Sequence, residues 1–202
     1  MRKLILRMLT SIDGFIADPR GDLSFESHWS EDMQRFYVET FNAADGLIYG
    51  RGVYEKYVPH WEGVAATGKH AGNGAATDAE VAYASRVRDL PKYVASNTLT
   101  GVTGNTAILR GPELVERVAG LKREPDGDLL LMCGPALLSA LSADRLVDEY
   151  MLDVYPVAFG HGVHLFRDIR HPIALSHVTS RRFPQGVNVH VYKPEYDSNG
   201  SV

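Results

Sequence analysis

Three apolar runs in this 202-residue chain end in a glycine that opens what reads as a helix. Leu47-Ile48-Tyr49 passes into Gly50-Arg51-Gly52, Ile108-Leu109-Arg110 into Gly111-Pro112, and Leu131-Met132-Cys133 into Gly134-Pro135. Glycine has no Cβ, so a ligand can approach the backbone closely. Proline suits the first helical position, where its missing N–H costs nothing. A helix N-terminus offers free amides and a partial positive charge, which favours phosphate. Arg51 adds a permanent cation suited to phosphate oxygens. Any one such turn is also an ordinary strand-to-helix connection. Three of them on parallel strands fall on one carboxyl edge, where open α/β sheets bind ligands.

Groups that could handle a proton are fewer. Asp13 follows the first apolar run and reads either as an acid at that edge or as half of a turn-forming Asp13-Gly14 pair. Asp32 and Phe36 are four residues apart, so a helix puts them on one face. Asp32 is equally suited to a helix start, where the dipole stabilises it. Asp13 and Asp32 are therefore the catalytic candidates. Phe36, Tyr54 and Trp61, with Trp29 and Tyr57, are candidates for lining a substrate cleft or for plain packing. His161 and His164 would face opposite sides of a strand, with no acidic or cysteine ligand beside them, so no metal site is expected. Cys133 reads as a small buried residue next to the third turn.

The absent motifs are informative. No G-x-G-x-x-G follows an early strand, and no G-x-x-x-x-G-K-[ST] loop exists, which disfavours a standard Rossmann dehydrogenase and a nucleotide triphosphatase. The H-x-E and P-C-x-x-C signature of zinc deaminases is also missing.

Strand and helix signals alternate through most of the chain. Leu4 to Leu9, Gly46 to Tyr49, Lys92 to Ala95, Thr106 to Leu109 and Leu129 to Met132 read as strands. Helices are expected from Ser30 as N-cap to Ala43, over Val53 to Tyr57, from Asp78 to about Val87, over Glu113 to Leu121 and over Ala136 to Leu141. After Leu146 only strands follow: Val147 to Val154, Val163 to Phe166, Ala174 to Arg182 and Val187 to Tyr192, the last two joined by a turn at Phe183-Pro184-Gln185-Gly186. This order predicts a three-layer α/β/α domain with a mixed, mainly parallel sheet that ends in antiparallel strands. The Gly- and Ala-rich stretch from Glu62 to Thr77 reads as a long loop, either a solvated insertion or a substrate-covering flap. A single domain over 1–195 is expected, with a frayed tail over 196–202.

Composition bounds the partners. Lys plus Arg is 21 against 25 Asp plus Glu, a net charge of −4, which argues against a general nucleic-acid binder. The single cysteine precludes an intrachain disulfide and fits a reducing compartment. Arg7 breaks the first apolar run too early for a signal peptide. No stretch approaches the roughly 20 apolar residues of a membrane span. A cytoplasmic protein is expected.

Several short motifs resemble one family. Thr10-Ser11-Ile12-Asp13-Gly14-Phe15-Ile16-Ala17 resembles the S-[LI]-D-G-x-I-A opening of dihydrofolate-reductase-like enzymes, in particular the reductase domain of the bifunctional deaminase-reductases of riboflavin biosynthesis and its free-standing relatives. Gly50-Arg51-Gly52-Val53-Tyr54-Glu55 resembles their G-R-x-T-[YW]-E, and Ser96-Asn97-Thr98-Leu99 their S-R-T-L. Gly134-Pro135-Ala136-Leu137 with Leu146-Val147-Asp148-Glu149 resembles G-G-P-x-L followed by L-V-D-E. Pro156 to Phe166 resembles P-V-x-x-G-x-G-x-x-L-F. The resemblance implies an NADPH-dependent reductase of a small heterocyclic or imine-like substrate, similar to 5-amino-6-(5-phosphoribosylamino)uracil reductase and dihydrofolate reductase. It implies that the Gly50-Arg51-Gly52 and Cys133 to Leu137 turns hold the pyrophosphate, with Ser96 and Thr98 near the adenosine phosphate. It also implies a homodimer and places Asp32 with Phe36 against the substrate. Asn97 stands where the family often has Arg, so NADH is the alternative cofactor unless Arg110, beside Gly111, supplies the cation. Met132 stands where the riboflavin enzymes carry a Glu that contacts the substrate's sugar. A nucleotide-binding protein without turnover is the other reading of these departures.

Overall fold

In the computed structural model, residues 1–22, 30–71 and 74–196 are described. Trp29 and the tail after Tyr196 lie outside them. The elements run β1 (Leu4–Ser11), β2 (Phe15–Ala17), α1 (Glu31–Asn42), β3 (Ala44–Gly50), α2 (Arg51–Thr67), α3 (Asp78–Asp89), β4 (Lys92–Ala95), β5 (Thr106–Leu109), α4 (Leu114–Arg123), β6 (Asp128–Met132), α5 (Pro135–Ala143), β7 (Glu149–Tyr155), β8 (Val163–His164), β9 (Leu175–Arg182) and β10 (Asn188–Pro194).

Among the described residues, eight strands form one sheet in the order β5-β4-β3-β6-β1-β7-β10-β9. The first six are parallel, and β10 and β9 close the sheet antiparallel. The chain moves from β1 toward β5 through α1, α2 and α3, and returns through α4 and α5. Right-handed crossovers therefore put the first three helices on one face and the last two on the other. Covered on both faces, the central strands are nearly continuous apolar runs, and Leu129 to Met132 are all buried. The expected three-layer α/β architecture is present.

Local chemistry fixes the helix ends. Ser30 caps α1 by accepting from the Met33 amide, and Met33, Tyr37 and Phe41 at i, i+4 and i+8 are buried. Thr77 and Glu80 form a reciprocal capping box at α3, which ends at Leu90, held extended by the following Pro91.

Three expectations need correction. First, α2 does not stop at Tyr57; it continues to Thr67 and ends on Gly68 in the left-handed conformation, φ 66°. The Ala- and Gly-rich composition hid a helix that buries Trp61 and Val64, so residues 62–67 of the stretch read as a loop are helical. Second, β8 does not join the main sheet but pairs with β2 in a separate two-stranded ribbon. Gly162 makes that contact possible, because a Cβ there would lie 2.2 Å from the Ala17 carbonyl oxygen. Third, Tyr196 is anchored, its hydroxyl donating to the Val147 carbonyl at 2.8 Å.

Candidate active site

The glycine turns converge at the carboxyl edge. Gly50 and Gly134 are the N-caps of α2 and α5, and neither helix has a side-chain cap. A Cβ on Gly50 would lie 3.3 Å from Cys133 Cα and 3.4 Å from the Gly134 nitrogen, so the two turns pack backbone on backbone. A Cβ on Gly134 or Gly52 would meet nothing within 4 Å. Two uncapped helix N-termini thus stand side by side, with open space in front of them. Pro135 is the first residue of α5 as expected. Pro112 is not at the first position of α4: Glu113 is that helix's N-cap, and Gly111 turns through φ 78° before it.

The loop after β4 is built against these turns. Ser96 Oγ accepts from the Thr98 amide at 3.3 Å and the Leu99 amide at 3.0 Å. Asn97 Oδ1 accepts from the Gly111 amide at 2.9 Å. Arg110 folds back over the loop and donates to the carbonyls of Asn97, at 3.2 Å, and Leu99. Arg51 donates to Glu55 at 2.8 Å and to Thr98 Oγ1, tying the β3 turn to the same loop. A groove of about 290 Å³ runs between Ala95 to Asn97, Leu109 and Gly111 on one side and Leu114, Ala136, Leu137 and Ala140 on the other. Ser96 and Asn97 are polar members of its lining, and Leu109, Leu114 and Leu137 apolar ones.

Cys133 is fully buried beside the Gly134 turn, and burial pushes its thiol pKa up. It is a packing residue, not an exposed thiol.

Asp13 sits in a closed network. Ser11 Oγ donates to it at 2.5 Å, and the Phe159 and Gly160 amides donate at 3.2 and 2.7 Å. The Ser11 bond, then the amide of Gly160, hold its carboxyl pKa down at about 2. A carboxylate so held is ionised at neutral pH and has no proton to give. Asp13 fastens the β1–β2 turn to the loop after β7, and Gly14 takes the φ of 82° that this turn requires.

Asp32 lies in the first turn of α1 and pairs with Arg35. Phe36 is half-buried one helical turn further on, 5.5 Å from the Phe183 ring. The Arg181 guanidinium lies 5.2 Å from its centroid. Tyr54 and Trp61 lie elsewhere. Tyr54 is buried, with its hydroxyl accepting from the Thr103 amide at 3.2 Å. Trp61 packs edge-on against Tyr83 at 4.7 Å between α2 and α3. Both are core residues: Tyr54 packs between Tyr49 of β3 and the Thr103 loop, and Trp61 lies on the unexpected extension of α2 that packs on α3.

One group escaped the sequence reading. Arg7 of β1 and Asp153 of β7 form a buried ion pair at 3.0 Å, with the Tyr37 hydroxyl donating to Asp153 at 2.7 Å. The signal was an arginine inside the first apolar run.

The family described as RibD C-terminal domain matches residues 2–189. The uncharacterised protein YyaP of Bacillus subtilis (strain 168) is 30% identical over 195 residues, covering 95% of this chain and 94% of its own. A provisionally assigned riboflavin biosynthesis protein from Shewanella sp. PV-4 superposes with a TM-score of 0.72 at 21% identity, over 96% of this chain and 99% of that one. The Thermotoga maritima diaminohydroxyphosphoribosylaminopyrimidine deaminase/5-amino-6-(5-phosphoribosylamino)uracil reductase gives 0.63 at 18% identity, over 96% of this chain and 56% of that one. Dihydrofolate reductase from Enterococcus faecalis, complexed with NADP(H), gives 0.59 at 14% identity, over 96% and 97%.

Proposed function

This chain belongs to the RibD C-terminal domain family, and from that premise we propose that it is an NADPH-dependent reductase of a small heterocyclic or imine-like substrate. The observation that carries the reading is the backbone contact between Gly50 and the Gly134 turn, with two uncapped helix N-termini and open space before them. That arrangement fits a pyrophosphate, and the groove beside it fits the adenosine half of a dinucleotide.

NADPH, when bound, supplies the hydride. The chain's own residues bind and orient. The α2 and α5 amides hold the pyrophosphate, and Arg51 adds a cation at the edge. The Ser96 loop receives the adenosine phosphate, with Asn97 and Arg110 shaping it. Ala136, Leu137 and Leu114 exclude water from one side of the groove. Asp32 and Phe36 face the substrate from α1, whose N-terminus begins at the carboxyl edge. Asp13 is a positioning residue that fixes the first turn.

A second reading, a nucleotide-binding protein without turnover, is favoured by two departures in sequence. Asn97 stands where the family often has Arg, and Met132 offers no carboxylate where the riboflavin enzymes have one. Calorimetric titration with NADPH, followed by an oxidation assay with pterins and aminopyrimidines, separates the two. Binding with turnover supports the reductase. Binding with no oxidation across the panel supports the second reading, and no binding overturns both.

A further inference from the structure

Away from the groove, two imidazoles converge between α2 and the start of α3. His60 lies in the second half of α2, and His70 follows that helix's Gly68 cap by two residues. The chain folds back after the cap. Lys69 bridges to Ala75, the His70 amide donates to the Gly74 carbonyl at 3.3 Å, and the Ala76 amide donates to the Gly68 carbonyl at 2.8 Å. This return brings His70 Nδ1 to 3.4 Å from His60 Nε2, with ring centroids 5.4 Å apart. On its other side, His70 Nε2 lies 3.3 Å from Glu80 Oε2. That carboxylate is held in place, because the same oxygen accepts from the Thr77 amide at 2.8 Å in the α3 capping box. Trp61 stands edge-on to both imidazoles, at 5.0 Å and 6.1 Å, and walls one side of the pair. Both histidines are half-buried, so an ion from solvent can reach them.

We infer that His60 Nε2 and His70 Nδ1 form a binding site for a divalent cation of the zinc class, with Glu80 as the outer carboxylate that orients His70. Two nitrogens held at about 2.0–2.1 Å from one tetrahedral ion stand about 3.4 Å apart. The observed separation matches that figure and is long for a hydrogen bond. The carboxylate is a second, independent mark. A histidine that binds a metal donates its far ring N–H to a carboxylate, which fixes the tautomer and directs the other nitrogen at the ion. Glu80 stands in that relation to His70: with the proton on Nε2, the Nδ1 lone pair faces His60. Imidazole nitrogen favours zinc, copper or nickel, whereas magnesium and calcium take oxygen. Among the described residues no third histidine, cysteine, aspartate or glutamate joins the pair, so the site has two protein ligands. An ion there ties the chain after α2 back onto α2 and, through Glu80, onto the start of α3. The inference is independent of the reductase reading.

The test titrates the full chain with zinc ion by calorimetry at neutral pH in a non-coordinating buffer, with magnesium ion as the comparison. The wild type should bind zinc saturably and magnesium not at all. His60→Asn and His70→Gln each remove the ligating nitrogen while keeping a polar side chain, and each should abolish that binding. Glu80→Gln keeps the capping box, which accepts glutamine, but loses the charge behind His70. It should weaken zinc by about tenfold or more, the usual cost of losing an outer carboxylate, and it decides the matter if a histidine variant does not fold. His177→Ala/His190→Ala removes the neighbouring imidazoles of β9 and β10 and should bind zinc as the wild type does. Zinc should also slow trypsin cleavage after the exposed Lys69, scored against the other cuts in the same digest, in the wild type but not in His70→Gln. The inference is overturned by a wild type that does not bind zinc, by equal affinity for magnesium, or by unchanged zinc affinity in the folded α2, His70 and Glu80 variants. Loss of binding in the His177/His190 variant alone would place the ion at the sheet margin and overturn it too.

Discussion

Asp13 holds its proton far less tightly than an ordinary aspartate, and the sign of that shift sets its pH behaviour. Its folded pKa is about 2 against an ordinary 3.8. A depressed carboxylate stabilises the fold fully above the unfolded value and loses that contribution as pH falls through the folded one. The wild type should therefore exceed Asp13→Asn in thermal midpoint at neutral pH, with the gap closing between about pH 4 and about pH 2. A gap that stays constant over that range would refute the role. Arg51 makes a different prediction. Arg51→Ala should weaken NADPH binding by about 1.5–3 kcal/mol, the range for a hydrogen bond to a charged group. Unchanged affinity by calorimetry would remove Arg51 from the cofactor site.

The loop after β4 carries the choice of cofactor. An Arg at position 97 could form two parallel bonds to a 2′-phosphate, whereas Asn offers one neutral amide, already engaged with Gly111. Arg110 is the nearby cation, and it also braces the loop through two carbonyls. Arg110→Ala should therefore weaken both NADPH and NADH, and NADPH more. Equal losses would show that Arg110 only supports the loop. Asn97→Arg should raise NADPH preference in paired titrations. At α3, Thr77 caps the helix and also donates to Gln34 of α1 at 2.8 Å. Thr77→Ala should cost about 1–2 kcal/mol, or roughly 2–8 °C in a chain of this size. A midpoint unchanged in calorimetry would contradict this.

The elements also explain what could be read from sequence. The Gly50 and Gly134 turns were legible because a glycine ending an apolar run is a local signal. The length of α2 was not, because alanines and glycines over 62–68 carry no apolar period while Trp61 and Val64 are buried by tertiary contact. Asp13 meets Phe159 and Gly160, and Arg7 meets Asp153, across about 146 residues of chain. No spacing rule joins groups that far apart; only the register of β1 beside β7 does.

At the scale of the molecule, β9 forms one margin of the sheet, and Ser176 to Arg182 are all exposed, Val178 at 47%. The outer edge of a strand of this length, with no partner strand among the described residues, is a template for another strand unless it is covered. We propose a homodimer that covers it. Light scattering at micromolar concentration should give twice the chain mass, and Val178→Lys should shift the population toward monomer. A monomeric wild type would refute this.

The position of β1 has a consequence for the chain on the ribosome. This strand is made before both of its neighbours, yet it lies between β6 and β7, pairing with residues from Leu129 onward on one side and Glu149 onward on the other. At about 5–20 residues per second, roughly 7–30 s separate its synthesis from that of its last neighbour. Throughout that interval the most apolar strand of the N-terminal half has both edges unsatisfied. The nascent chain should then bind a holdase chaperone through Leu4 to Leu9, and release should coincide with emergence of β7.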